Sequence, residues 1–152
     1  MKKIFSFCVI CLLGISAMAQ AEYVDLGLPS GTLWKSTNES GYFTYDEAIG
    51  TYGHRIPKKF HWVELTEVCQ WIWIKDYGYK VVGPNGNSII LPASGYRSSE
   101  GKISDVGNYC DYWSSDSYDS ESAWCLFFYS DKVKMFAGLL SGGRSVRVVK
   151  SK

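Results

Sequence analysis

Helical spacing occupies one short stretch of this chain, and everything downstream of it reads as strand. Thr44-Tyr45-Asp46-Glu47 has the Ser/Thr-x-x-Glu pattern of a capping box. In that box the Thr44 hydroxyl accepts from the Glu47 N–H, and the Glu47 carboxylate accepts from the Thr44 N–H. Phe43 and Ala48 stand where a hydrophobic staple would. The spacing predicts a helix over 45–52, stopped by Gly53. Pro57 precedes a second helix, predicted over 59–70. Trp62, Leu65, Val68, Cys69 and Ile72 recur three and four apart there and make one apolar face, the mark of a core helix rather than a cofactor site. Trp71-Ile72-Trp73-Ile74 then looks extended. Tyr79–Val82 and Ser88–Leu91 flank Gly83-Pro84-Asn85-Gly86-Asn87, and Asn-Gly between two β-type runs signals a hairpin. Tyr23–Leu28 and Thr32–Trp34 read as strands around the turn Pro29-Ser30-Gly31. Further strands are expected at Tyr112–Ser114, Ala123–Tyr129, Val133–Ala137 and Ser145–Val149. Polar loops are expected at Ser98–Tyr109 and Ser115–Ser122. Two helices followed by many short strands argue an α+β fold.

The N-terminus constrains the address. Met1-Lys2-Lys3 is a positive start, Ile4–Ile15 is an apolar run interrupted only by Ser6 and Gly14, and Ala17-Met18-Ala19 is a small-x-small cleavage signal. A run of about a dozen apolar residues is too short to span a bilayer, which takes roughly 20. Residues 1–19 are therefore expected to be a secretory signal peptide. The chain is expected to be exported to the periplasm, the cell surface or the medium. Cys8 and Cys11 lie inside the apolar run, too early for a lipoprotein signal. Removing 19 of the 152 residues leaves 133, the size of one domain, 20–152. Removing Lys2 and Lys3 from the 16 basic residues leaves 14 against 15 acidic ones. With no basic patch, nucleic acid is not an expected partner.

All six Trp and all eleven Tyr fall in the mature chain. A small domain cannot bury them all fully, so some are expected at the surface, where Tyr and Trp serve recognition. Three cysteines survive processing: Cys69, Cys110 and Cys125. Cys110 with Cys125 is the preferred disulfide; the alternative is that all three are buried thiols. There is no CxxC, and His54 and His61, the only histidines, lack zinc-ligand spacing. Both read as surface histidines. No metal or cofactor is expected.

Several motifs together resemble a known family. Tyr23-Val24-Asp25-Leu26-Gly27-Leu28-Pro29-Ser30-Gly31-Thr32-Leu33-Trp34 looks like the opening of exported domains from gut Bacteroidetes, similar to the Fibrobacter-type major paralogous domain. Cys69-Gln70-Trp71-Ile72-Trp73, Leu91-Pro92-Ala93-Ser94-Gly95-Tyr96-Arg97, Tyr112-Trp113-Ser114-Ser115 and Ser145-Val146-Arg147-Val148-Val149 follow in that family's order. The layout also resembles the wider C-type-lectin-like fold, including formylglycine-generating relatives. The resemblance implies two helices packed on a twisted antiparallel sheet, termini close together, and a long irregular loop face. The chain departs from the pattern in being short between Trp34 and Arg55. It also departs in carrying Lys58 where Thr would cap the second helix.

Catalysis is not indicated. Cys110 and Cys125 are not the close pair of formylglycine-generating relatives. Gly83-Pro84-Asn85 and Trp113-Ser114-Ser115 lack the acidic ligands that lectin-type calcium loops carry. The segment 109–124 is instead built from Tyr, Trp, Ser and Asp, the residues of recognition loops. Tyr112, Tyr118 and Trp124 are the expected contact rings, with Asp116 and Asp119 beside them and Tyr96 and Arg97 bordering the same face. The expected role is binding or adhesion, with a glycan or protein as ligand. The alternatives are a structural subunit of a surface assembly or a degenerate formylglycine-generating-like enzyme.

Overall fold

The computed structural model describes residues 22–152; the expected leader and its cleavage point lie outside the described residues. The chain is α+β and mostly strand. Its elements are β1 (Tyr23–Asp25), β2 (Leu33–Lys35), α1 (Tyr45–Tyr52), a 3-10 turn (Gly53–Arg55), α2 (Lys59–Val68), β3 (Gln70–Ile74), β4 (Gly78–Val82), β5 (Ser88–Pro92), β6 (Tyr96–Arg97), β7 (Ile103–Ser104), β8 (Cys110–Ser117), β9 (Ser122–Tyr129), β10 (Lys132–Leu139) and β11 (Val149–Lys150). They form antiparallel sheets in the orders β1-β2-β11, β3-β4-β5, β8-β9-β10 and β6-β7. No described helix is long and apolar enough to cross a membrane.

The capping box forms as its residues require. Glu47 N–H donates to Thr44 Oγ1, and Thr44 N–H donates to Glu47 Oε2 at 2.8 Å. α2 lacks such a residue at Lys58, and the deficit is met from elsewhere. Lys59 N–H donates to Asp116 Oδ2 at 2.6 Å, across 57 residues of sequence. Lys58 N–H donates to His61 Nδ1 at 2.9 Å. The helix start is thus tied to the far end of β8.

Helices pack on both faces of β8 and the start of β9, and strand alternation divides the buried side chains between two cores. Tyr112, Leu126 and Phe128 point toward α2, where Trp62 and Leu65 join Trp34, Tyr79, Val81, Ile89 and Leu91. Trp113, Ala123 and Cys125 point the other way, toward Ala48 of α1, Ile56, Val146 and Val148. Trp62 lies 5.2 Å from Tyr112 and Tyr45 lies 5.3 Å from Trp113, ring centre to ring centre. Between Trp113 and Ser117 the β8–β9 register shifts at a bulge.

Four expectations change. α2 ends at Val68, so Ile72, expected on its apolar face, lies exposed on β3 instead. The strand expected at 145–149 survives only as β11. Residues 143–145 make isolated bridges instead, because Arg144 pairs with Phe43 and Ser145 with Tyr112. The expected loop at 115–122 is partly strand, since β8 runs on to Ser117. Cys110 and Cys125 are both buried free thiols, not a disulfide. Cys110 pairs with Phe128 and Cys125 with Trp113, so they sit three strand positions apart, about 10 Å, on opposite faces of the sheet. A disulfide needs Cα atoms within about 7 Å.

Burial pushes the thiols of Cys110 and Cys125 up, and that of Cys69 up to about 11. Alkylation of the native chain at neutral pH should therefore leave Cys110 and Cys125 unlabelled, whereas labelling after unfolding without reductant should reach both. Mass spectrometry of the labelled peptides checks this.

Candidate functional site

The residues expected to form one recognition face fall into separate places. Tyr112 is fully buried between the helix and the sheet and cannot meet a ligand. Its hydroxyl shares hydrogen bonds with the Asn38 amide. Tyr112 falls on the strand expected at 112–114, and the alternation along β8 turns it into the core rather than toward solvent. Asp116 is occupied by the α2 backbone. Asp119 Oδ1 accepts from Glu121 N–H at 2.9 Å and from Ser122 Oγ at 2.6 Å, holding the turn into β9. Those bonds, the Ser122 hydroxyl first, keep its carboxyl below the usual aspartate range. Tyr118 remains, 56% exposed and edge-on to Trp124 at 5.0 Å. Lys59 Nζ stands 3.4 Å from the Trp124 ring centre, so Trp124 is already engaged by a cation.

Tyr96 and Arg97 belong to a different surface. Cross-strand pairs share a face, so Trp124 faces with Ala137 while Phe136 faces with Cys125 on the reverse side. On that reverse side Tyr96, Tyr109, Phe127, Tyr129 and Phe136 form a continuous run of rings. The ring-centre spacings are 5.7 Å (Tyr96–Tyr109), 4.9 Å (Tyr109–Tyr129), 6.1 Å (Phe127–Tyr129) and 5.2 Å (Phe127–Phe136). All five are half-buried or exposed. The sequence reading missed four of them. The signal was the alternation along β9 and β10, which puts Phe127, Tyr129 and Phe136 on one face.

A cavity with polar side chains in its lining opens at each end of this stripe. One, of about 300 Å³, lies between β6, the following Ser98 and Ser99, and the end of β10, with Arg97, Phe136 and Arg144 in its lining. Arg144 is the most constrained of these. Its Nε donates to Asp111 Oδ2 at 2.7 Å and its Nη1 to the Leu139 carbonyl at 2.8 Å. Its guanidinium carbon lies 4.3 Å from the Trp113 ring centre and 5.5 Å from that of Phe136. Gly138 is what allows this: a Cβ there would stand 2.6 Å from Arg144 Nη2. No hydrogen bond within the described residues takes Nη2. Arg97 is more loosely held, 3.6 Å from Glu47 Oε2. The second cavity, of about 410 Å³, is lined by Trp73, Asp76, Asn108, Tyr129 and Asp131, among others. One end of the stripe thus carries two arginines, and the other carries two carboxylates with Lys75 beside them.

Asp111 sits beneath the stripe, 2% exposed, with Oδ1 unpaired. Burial raises its carboxyl to about 6, against the pull of the Arg144 guanidinium. Tyr109 is pushed up by burial and by the Asp111 carboxylate beside it. Among the described residues no three His, Cys, Asp or Glu side chains converge as metal ligands. No family model matches the chain, and neither does any curated protein or any solved structure. The likeness to the exported paralogous domains rests on the motifs quoted above.

Two measurements follow. Removing the Asp116 cap by Asp116→Ala should cost about 1 kcal/mol in denaturant unfolding. Asp111 holds its proton more tightly folded than unfolded, so its contribution to stability falls as pH rises from the ordinary 3.8 through about 6. At about 1.4 kcal/mol per unit this is at most about 3 kcal/mol. Thermal unfolding across that window should show the decline in the wild type relative to Asp111→Asn.

Proposed function

We propose that this chain is an exported binding module of the C-type-lectin-like class that holds a carbohydrate chain along its aromatic stripe. The observation that carries this reading is the run of five rings with a cavity bearing polar side chains at either end. Sugar rings lay their C–H faces on aromatic faces, and their hydroxyls need donors and acceptors at the margins. Arg97, Arg144, Ser98 and Ser99 supply donors at one end, and Asp76, Asp131 and Asn108 supply acceptors and a donor at the other. The guanidinium at one end favours a sugar bearing a carboxylate there. Export is supported by the leader-like N-terminus. Tyr118 and Trp124 form a second, smaller patch on the opposite side of the sheet.

A second reading, a structural subunit of a surface assembly, is favoured by one other observation. The outer face of β3-β4-β5 carries exposed Ile72 and Ile74, with Tyr77 exposed at the adjoining turn. Such a face suits a protein partner.

The test is binding of the mature chain to immobilised neutral and acidic glycans, with calcium and with EDTA. Tyr129→Ala and Arg97→Gln should each weaken binding about tenfold, as for a central contact, and Tyr118→Ala should leave it unchanged. Loss on Tyr118→Ala alone would move the site to the Tyr118–Trp124 patch. No glycan binding, with stable self-association or a captured envelope protein, would favour the structural reading.

A further inference from the structure

Away from the stripe, a cavity of about 320 Å³ opens beside the 3-10 turn, the start of α2 and the β1-β2-β11 sheet. The chain has two histidines, and both line this cavity: His54 from the turn and His61 from the first turn of α2. Arg55 and Lys150 join them, with the Thr32 hydroxyl and the Tyr23 ring. No Asp or Glu lines the cavity.

The cations here are held without being neutralised. Among the described residues neither Arg55 nor Lys150 forms a salt bridge. Arg55 lies over the Tyr52 ring at 5.5 Å and Lys150 over the Tyr23 ring at 4.3 Å. A ring face attracts a cation while leaving its N–H groups free to donate. His61 Nδ1 accepts the Lys58 N–H at 2.9 Å, which fixes its neutral tautomer with the proton on Nε2, a second free donor. Like charges gathered in this way repel one another until an anion enters. No local motif announces the arrangement, because Lys150 lies about ninety residues from His61 and arrives only through β11 pairing with β2.

We propose that this cavity binds an oxyanion group, the phosphate or sulfate of an ester. The cavity has room for more than the bare anion, so the group arrives on a larger molecule. Affinity rises as His61 gains a proton, which burial delays to a lower pH than is usual for histidine. For His61, burial opposes protonation most strongly and Lys58 opposes it too, while Glu64 and Asp116 favour it. This site shares no lining residue with the aromatic stripe and stands whether or not the stripe binds glycan.

The test is titration of the chain with inorganic sulfate and, separately, inorganic phosphate, followed by the imidazole NMR signals of both histidines. Sulfate keeps its charge across the histidine range, so its pH dependence reports the protein alone. Saturable shifts are expected, with sulfate binding tightening as pH falls below the ordinary histidine range and His61 takes up its proton. The pair Arg55→Gln and Lys150→Gln should weaken binding about tenfold or more at unchanged circular dichroism. Lys150 is exposed, so Lys150→Gln alone repeats the test with the core untouched. Saturation by one anion only keeps the site and assigns the ester. Absence of saturable shifts with both anions, or equal affinity in the variants, overturns the proposal.

Discussion

β9 is packed on both faces over most of its length, with only Phe127 and Tyr129 open on one side and Trp124 on the other, and such a strand has little room for polar residues. Ala123 and Cys125 are buried toward α1, and Leu126 and Phe128 toward α2. Its near-continuous apolar run is the consequence, and so is the absence of the alternation that marks a one-sided strand. Both helices, and the β3-β4-β5 sheet behind α2, are positioned by what β8 and β9 present. A one-residue slip of this pair would exchange the two cores and is therefore strongly opposed.

Polar groups inside such a structure must be satisfied where they stand. Arg147 is fully buried. Its Nε donates to Asn38 Oδ1 at 2.8 Å and its Nη1 to the Lys35 carbonyl at 2.9 Å, while Nη2 donates to the Ile90 carbonyl. One guanidinium thereby joins the segment after β2, β5 and the chain leading into β11. Burial lowers its hold on the proton, and the surrounding acceptors keep it in place. Arg144 does the equivalent work on the other face, with Asp111 as its anion and two rings as its walls. Both buried arginines border a cavity, and they differ in one respect that bears on function: Arg144 keeps Nη2 free of any hydrogen bond within the described residues, whereas every guanidinium nitrogen of Arg147 donates.

Local order was readable from residues. The α1 box, the α2 face, the Asn-Gly hairpin and the approximate strands all came from spacing and turn chemistry, because those signals act over a few residues. The candidate surface was readable only in part. Tyr96 and Arg97 do lie on a stripe of rings. Their expected neighbours Tyr118 and Trp124 lie on the other side of the sheet, because the parity of a strand cannot be assigned until its start is known. Tyr112, an expected contact ring on a strand, proved to be core for the same reason. The cysteines show the limit most simply: fifteen residues apart in sequence, they look like a short loop, but one strand position decides which face each occupies.

The sequence by itself determined the α+β class, the two helices and their order, the hairpins, the surplus of aromatic side chains and a leader-like N-terminus. Each of these depends on residues near one another in the chain. Only the tertiary structure decided that Asp116 caps α2, that five rings from β6, β8's approach, β9 and β10 form one stripe, and that His54, Arg55, His61 and Lys150 surround one cavity. Those arrangements join residues tens of positions apart, and they exist only once the register of β8, β9 and β11 is set.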